Sequence, residues 1–388
     1  MGIRIGCGLS TLSDAREGAH AAARAAVAQL DGEPVDLAVV FASGSHLAAP
    51  ETTLEGVHEA CDPARLIGCG AAGVLGGEQE IEDATAVAVW LACLGEGSVT
   101  TFHATSSTDG EFQGVPDLAG ASGVILLPDP YSFATDLLLR RLHEQAPGVP
   151  VLGGLSSGRT FDNTAALFRD ELVLESGMVG ARLDGVELLP CVSQGAAPLG
   201  PELTITRADG HVIHELAGKS ALAKLREVFE QLTDHERGLI NGGLLVGLVI
   251  DAGKPEYEHG DFLVRGLLGA DPEEGSIAVG ATVNTGQIVR LHARDARSAH
   301  RDLREALSLR RTALGGRRPA GALMFTCNGR GRSMFGVADH DSEMLAAELG
   351  AVPTAGFFAA GEIGPVGGEC FLHGFTATVA VFADTGRG

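Results

Sequence analysis

Lysine is nearly missing: Lys219, Lys224 and Lys254 are the only three among 28 basic residues in a chain of 388. Acidic residues number 50, which sets the formal charge at -22. Lys and Arg supply most of the affinity for a phosphate backbone, so a polyanion of this size is a poor nucleic-acid binder. Tyrosine and tryptophan are scarce as well, with two of the first and one of the second, and aromatic residues make up 5% of the chain, which argues against a stacking surface. No apolar run reaches the roughly 20 residues that a bilayer span needs. The longest, 84–95 and 242–250, stop well short. The start, Met1-Gly2-Ile3-Arg4-Ile5-Gly6, has no basic region ahead of a long apolar one, so no signal peptide is expected. Gly6 also stands where myristoylation wants Ser or Thr. Seven cysteines (Cys7, Cys61, Cys69, Cys93, Cys191, Cys327, Cys370) are scattered and never form a CxxC pair. That is a reduced pattern, not a disulfide framework or a zinc site.

What is present is a folding composition. Hydrophobic residues make up 45% of the chain and charged ones 20%, which excludes a mostly disordered polypeptide. The length exceeds what one core usually serves and implies two domains or one large composite. The reading is a soluble, acidic, cytoplasmic protein with no membrane segment. Arginine in place of lysine, with abundant Ala and Gly, suggests a GC-rich bacterial genome.

Fifty-five glycines carry a repeat. Gly68-Cys-Gly-Ala-Ala-Gly73, Gly153-Gly-Leu-Ser-Ser-Gly158 and Gly356-Phe-Phe-Ala-Ala-Gly361 share the pattern G-x-x-[AS]-[AS]-G. An apolar β-like run precedes each: 35–41, 123–127 and 321–325. A turn-rich loop and a short helix follow that run, over 52–61, 132–143 and 341–349. In the first copy Thr52-Thr53-Leu54-Glu55 reads as a capping box. A second β-rich run follows each motif, at 84–94, 177–183 and 374–382. The spacing from first run to motif is 28, 27 and 31 residues (Val40 to Gly68, Leu126 to Gly153, Phe325 to Gly356). Each unit reads strand, loop, helix, glycine-ended strand, strand. The fold class expected is α/β with mixed α+β sheets, in two domains over 1–212 and 213–388. Two clear units fall in the first and one in the second, where Leu244 to Val283 is a candidate degenerate fourth. The breaker cluster Gly195-Ala-Ala-Pro-Leu-Gly-Pro201 marks the boundary region. A strand pair turning at Asp209-Gly210 follows it, then a helix after Gly218 with Leu222, Leu225, Val228, Phe229 and Leu232 inward.

Three motifs invite catalytic readings. Gly68-x-Gly70-x-x-Gly73 matches a dinucleotide fingerprint, but Gly76-Gly77 and a strand follow where a helix is required. No cofactor is expected. Gly154-Leu-Ser156-Ser-Gly158 matches a nucleophile elbow. The sister copies carry alanines there, so small side chains for close packing are the simpler requirement. Cys327 precedes Asn328-Gly329-Arg330-Gly331-Arg332, so a cationic neighbour that could lower a thiol pKa is at hand. A buried cysteine acting as a small hydrophobe is the plainer reading. Ser156 and Cys327 are the nucleophile candidates of an enzyme alternative. The thirteen histidines form no ligand pattern, and no metal is expected.

Nine arginines lie between Arg290 and Arg318. A helix over Asp295 to Leu314 would turn Leu303, Ala306, Leu307 and Leu314 inward and the arginines to solvent. The sharper alternative is a docking face for an acidic partner or a second copy of this chain. The strongest candidate site is the last unit, where Asn328, Arg330 and Arg332 leave one strand end and Gly361 and Glu362 leave the next. Loops beyond strand ends are where α/β proteins bind small molecules. Arg330 suits a carboxylate and Glu362 an ammonium. The glycines Gly68, Gly73, Gly153 and Gly158 would line the ligand, or else only let strands approach. An internal Arg330–Glu362 ion pair is the structural alternative.

At these residues the chain resembles the FIST family, proteins with a FIST N domain and a FIST C domain. Phe262-Leu-Val-Arg265, Gly269-Ala-Asp271, Arg294-Asp295, Asn328-Gly-Arg-Gly331 and Gly356-Phe-Phe-Ala-Ala-Gly-Glu-Ile-Gly-Pro365 look like the C-domain pattern. Ile67-Gly-Cys-Gly-Ala-Ala-Gly73, Gly153-Gly154 and Gln194-Gly195 with Pro198 and Gly200 look like the N-domain. The resemblance spans nearly the whole chain and implies a sensory module of signal transduction binding a small ligand, such as an amino acid. It carries no established catalytic set. No kinase, cyclase, chemoreceptor or F-box segment accompanies it here, which implies a separate signalling partner.

Overall fold

The computed structural model describes residues 2–240, 243–250, 253–254, 257 and 261–384. It is a mixed α+β protein, as the sequence leads one to expect. By contacts the chain forms two compact units. One comprises Met1–Ser193, Leu303–Leu372 and Thr376–Gly388, the other Gln194–Asp302 with His373–Phe375.

The first unit holds three sheets in which one strand order recurs. In the first sheet, Arg4–Ser10, Ala86–Cys93, Leu37–Ser43 and Leu66–Gly70 lie side by side, and the hairpin Leu167–Arg169/Leu172–Leu174 completes the edge. The second runs Ser98–Ser106, Met178–Asp184, Gly123–Pro128 and Val151–Gly154, then the hairpin Glu362–Val366/Glu369–His373. The third runs Leu188–Ser193, Ala377–Ala383, Pro319–Cys327 and Thr354–Ala359, then Val74–Gly76/Gln79–Ile81. In each sheet the glycine-bearing strand is parallel to the strand before it in sequence. The chain then leaves as a hairpin that pairs antiparallel in a different sheet. First feeds third, second feeds first, and third feeds second.

Parallel neighbours need a crossover. The helices Pro50–Cys61, Thr135–Gln145 and His340–Leu349 supply it. Each sheet is therefore buried on both faces, and its strands read as continuous apolar runs. Alternation assigns the faces. Leu37, Val39 and Phe41, with Ile125, Leu127, Leu323 and Phe325, meet in one central core. Ala38, Val40 and Ala42 face the helix side with Leu54 and Val57. Phe41 lies 4.9 Å from Phe357, and Phe325 meets Phe357 edge-on at 5.8 Å. The capping box does not form. Its helix starts two residues earlier with Pro50, whose fixed φ suits a first turn. Thr53 lies inside the helix, its hydroxyl donating to the carbonyls of His46 and Ala49.

Among the described residues, the strand pairings of the second unit are all antiparallel. Its long strand Ala196–Asp209 pairs with Ile288–Arg294 through its first part and with Val212–Leu216 through its last, so the sheet closes on itself. The helix Ala221–Gln231 turns Leu225 and Val228 onto this sheet. The stretch considered as a fourth unit differs from the other three. Leu244–Val249 and Phe262–Asp271 pair antiparallel, where the others use a parallel pair. The arginine-rich helix spans Ala296–Ala313, with Leu303 and Leu307 buried and Arg297, Arg301, Arg304 and Arg311 exposed.

Candidate functional site

The three glycine motifs meet and bond to one another. A Cβ at the first glycine of each would lie 2.2 Å (Gly68), 1.9 Å (Gly153) or 1.8 Å (Gly356) from the carbonyl oxygen of its parallel neighbour, Val40, Leu126 or Met324. Only glycine fits that approach. Past these strands the copies exchange backbone bonds. Phe358 N–H donates to Gly73 C=O (3.0 Å), Leu155 N–H to Gly361 C=O (2.8 Å), Ala360 N–H to Leu155 C=O (3.1 Å) and Ser157 N–H to Gly70 C=O (3.3 Å). One link of this ring is not direct. Ala72 N–H donates to the Ser157 hydroxyl, which donates to Phe358 C=O.

A Cβ at Gly73 or Gly158 would be crowded by backbone in the same way, at 2.7 Å from Ile81 O or 2.5 Å from Ala71 O. Gly158 also borders, with Ala71, Ala72 and Arg159, an open cavity of about 450 Å³. Ser156 is 3% exposed, its hydroxyl makes no hydrogen bond among the described residues, and no helix follows it. The nucleophile elbow is therefore not built.

In the third unit, Cys327 ends its strand, and a loop leads through Arg330 to a short helix, Arg332–Phe335, and on to His340–Leu349. Arg330 is fully buried. Its Nε and Nη2 donate to Asp341 Oδ2 (2.6 Å) and Oδ1 (2.8 Å), a bidentate fork of the strong kind. The Thr326 hydroxyl reaches the same carboxylate at 2.6 Å. The ion pair considered between Arg330 and Glu362 is thus replaced by one with Asp341, which opens the crossover helix directly above the strand end. Burial pushes the Asp341 pKa up, but Arg330 and the hydrogen bonds outweigh it and hold the carboxyl well below the usual range. The His340 ring stacks on Phe335 with centroids 3.4 Å apart, and its Nδ1 lies 2.9 Å from Asp341 Oδ1.

Two more buried acids complete the cluster. Glu80, on the hairpin from the first copy, accepts Asp341 N–H (2.9 Å) and Ser342 N–H (2.8 Å) through Oε1. Its own N–H donates to Asp339 Oδ1 at 2.6 Å. Burial and the neighbouring Asp341 charge raise its pKa to about 7. Glu362 is fully buried and accepts both the N–H and the hydroxyl of Thr376 through Oε2. Burial pushes it up to about 8, against the opposing pull of Thr376, of the Cys327 thiol and of Arg330. Glu362 Oε1 and Glu80 Oε2 make no hydrogen bond among the described residues. Asn328 is exposed, and Arg332 extends to solvent with its N–H on Glu82 at 3.0 Å. Gly361 is buried in the glycine ring.

The structure therefore brings Arg330, Glu362 and Cys327 together and sets the glycines Gly68, Gly73, Gly153 and Gly158 against backbone. Asp341 and Glu80 are missing from the residues that the sequence points to. Asp341 looks like an ordinary first-turn acid. Glu80 lies some 260 residues from its partners, beyond the reach of local patterning.

The FIST N domain model matches residues 36–219 and the FIST C domain model residues 221–365. The chain belongs to the FIST family. FIST domains are associated with a sensory function in signal transduction. Relatives match end to end. An uncharacterized protein of Mycobacterium tuberculosis is 45% identical over 386 residues, covering 98% of this chain and all of its own. An uncharacterized protein of Mycobacterium bovis is 43% identical over 395 residues, covering 98% and 99%. Among the described residues of this FIST protein, no helix is long and apolar enough to cross a membrane, and no group of His, Cys, Asp and Glu forms a metal-holding cluster.

Proposed function

We propose that this chain is a cytoplasmic sensory protein that binds a small molecule, an amino acid or related carboxylate, and passes the event to a separate signalling protein. The observation that carries the reading is Glu362. It is a fully buried acid beside Arg330 at the strand ends of the third unit, and one of its oxygens makes no hydrogen bond among the described residues. Buried polar atoms are nearly always satisfied, so such an atom marks a place for a further partner. Asp341 holds the Arg330 guanidinium, so Arg330 contributes a fixed positive field while an ammonium or hydroxyl of the ligand meets Glu362. Asn328 and Arg332 stand on the outer side of the same loop. Entry requires the 328–335 segment to move, and a ligand that favours the moved state shifts the population, as sensing demands.

Thermal unfolding of the wild type and Glu362→Gln, against amino acids, organic acids, nucleotides and coenzyme A derivatives, tests this. A ligand at 100 times its dissociation constant stabilises the fold by about 2.7 kcal/mol. Stabilisation by an amino or organic acid that Glu362→Gln abolishes is the expected result. A response confined to nucleotides or coenzyme A derivatives would replace the reading. The Cys327 thiol beside Glu362 favours a second reading, a cysteine nucleophile with a carboxyl base. Labelling of Cys327 by an electrophilic probe in the folded protein would support it.

A further inference from the structure

We infer that the start of the helix Thr135–Gln145 binds a small organic monocarboxylate with an apolar body, at a place where the exchanged hairpin presents Leu372 instead of a carboxylate. The argument is a comparison within the molecule. In the third sheet, the exchanged hairpin puts Glu80 on the first turn of the crossover helix, where its carboxylate takes two N–H groups. In the second sheet, the exchanged hairpin brings Leu372 to the corresponding helix start. There a cavity of about 300 Å³ opens between Leu372, Phe133, Leu137, Leu155, Thr135 and Arg140.

The N–H groups of Ala134, Thr135, Leu137 and Leu155 are taken within the fold, but three other donors around that cavity are available. The N-cap is Ala134, which offers no capping side chain. Asp136 N–H makes no hydrogen bond among the described residues. Thr135 is 4% exposed, and its hydroxyl also makes none among them. Arg140 forms no ion pair among the described residues, whereas its neighbour Arg141 is taken by Glu111 and the Phe112 ring. A helix N-terminus with a free N–H, a buried hydroxyl and an arginine is a complete anion cradle. The remaining walls are apolar and suit a short hydrocarbon body, and the volume is at the lower end for ligand pockets. Asp136 borders the cavity from the exposed side. Its charge disfavours a dianion, so a single carboxylate is selected over a phosphate group.

The inference rests on the sensory reading only for treating the occupant as a signal. Calorimetric titration of the whole chain with hexanoate, leucine and inorganic phosphate tests it, using the wild type, Arg140→Ala, Thr135→Val and Glu362→Gln. Hexanoate is expected to bind more tightly than phosphate or leucine. Arg140→Ala and Thr135→Val should each weaken it at least tenfold, and Glu362→Gln should leave it unchanged. Both helix-start variants change no partnered group, so their melting temperatures should stay at or above that of the wild type. No hexanoate binding at concentrations on the order of 10 mM, wild-type affinity in either helix-start variant, or preference for phosphate or leucine would overturn the site. Loss of hexanoate binding in Glu362→Gln alone would move the ligand to the third unit and overturn this site while keeping the sensory reading.

Discussion

Ser156 and Ser157 are adjacent, and the sequence pattern treats them alike, as the small residues of a glycine motif. Their surroundings separate them. The Ser157 hydroxyl stands between Ala72 N–H and Phe358 C=O, which no direct bond joins, while the Ser156 hydroxyl bonds nothing described. Removing a hydroxyl that bridges two backbone groups strands both of them. Ser157→Ala should therefore cost about 1–3 kcal/mol in urea unfolding, and Ser156→Ala should stay within about 0.5 kcal/mol of wild type. Equal effects would show that the ring does not depend on the bridge. The motif itself was legible from spacing, because glycine and alanine at fixed offsets leave a visible trace. The choice of serine was not, since its partners come from the first and third copies. The same limit hid Asp341 from the Arg330 reading. A guanidinium among glycines says that an anion is near, but only the crossover helix says which one.

At the scale of elements, the strands and crossover helices follow from local patterning, because both faces of each sheet are buried and the runs are continuously apolar. The exchanged hairpins do not. Their strands are short, such as Val74–Gly76 and Gln79–Ile81, and no periodicity names the sheet that they join. The first hairpin is fastened by Glu80, whose carboxyl is buried over a helix start with its pKa raised from 4.5 to about 7. In the unfolded chain this group ionises near its ordinary value, while the folded protein still holds the proton. The folded state then binds more protons through the window from about pH 4.5 to about pH 7, so stability falls as pH rises across it. Glu80→Gln keeps an oxygen for the two N–H groups and has no proton to lose. Its urea midpoint should therefore decline less than that of wild type between pH 5 and pH 7. Parallel slopes would place the proton elsewhere. Glu362 acts in the same direction up to about pH 8 and should leave a residual slope in that variant.

At the scale of the whole molecule, sequence order and contact order differ. The family models divide the chain near residue 220, whereas the contacts gather Met1–Ser193 with Leu303–Leu372 and Thr376–Gly388. Local reading found the third copy by its glycines but had no means to see its pairing with the first two. Within that unit, the third sheet takes its edge hairpin from the first copy and gives its own to the second. A fragment ending at Ser193 should therefore lack a cooperative thermal transition. Adding residues 303–388 as a separate chain should restore one, read by circular dichroism and co-elution. Cooperative unfolding of the fragment by itself would show that the exchanged hairpins are dispensable.

The exchange of hairpins also limits how such a protein can lengthen. A solenoid grows at its ends, because each repeat touches only its neighbours. Here every copy both lends a hairpin and borrows one, and the cycle of loans closes at three. A chain with two copies or four would leave a lent strand without its sheet, or force the circuit to be redrawn around a different axis. Duplication by one unit therefore disturbs every loan in the circuit, while insertion between units disturbs none, and the Gln194–Asp302 segment stands at such a point, between the second copy and the third.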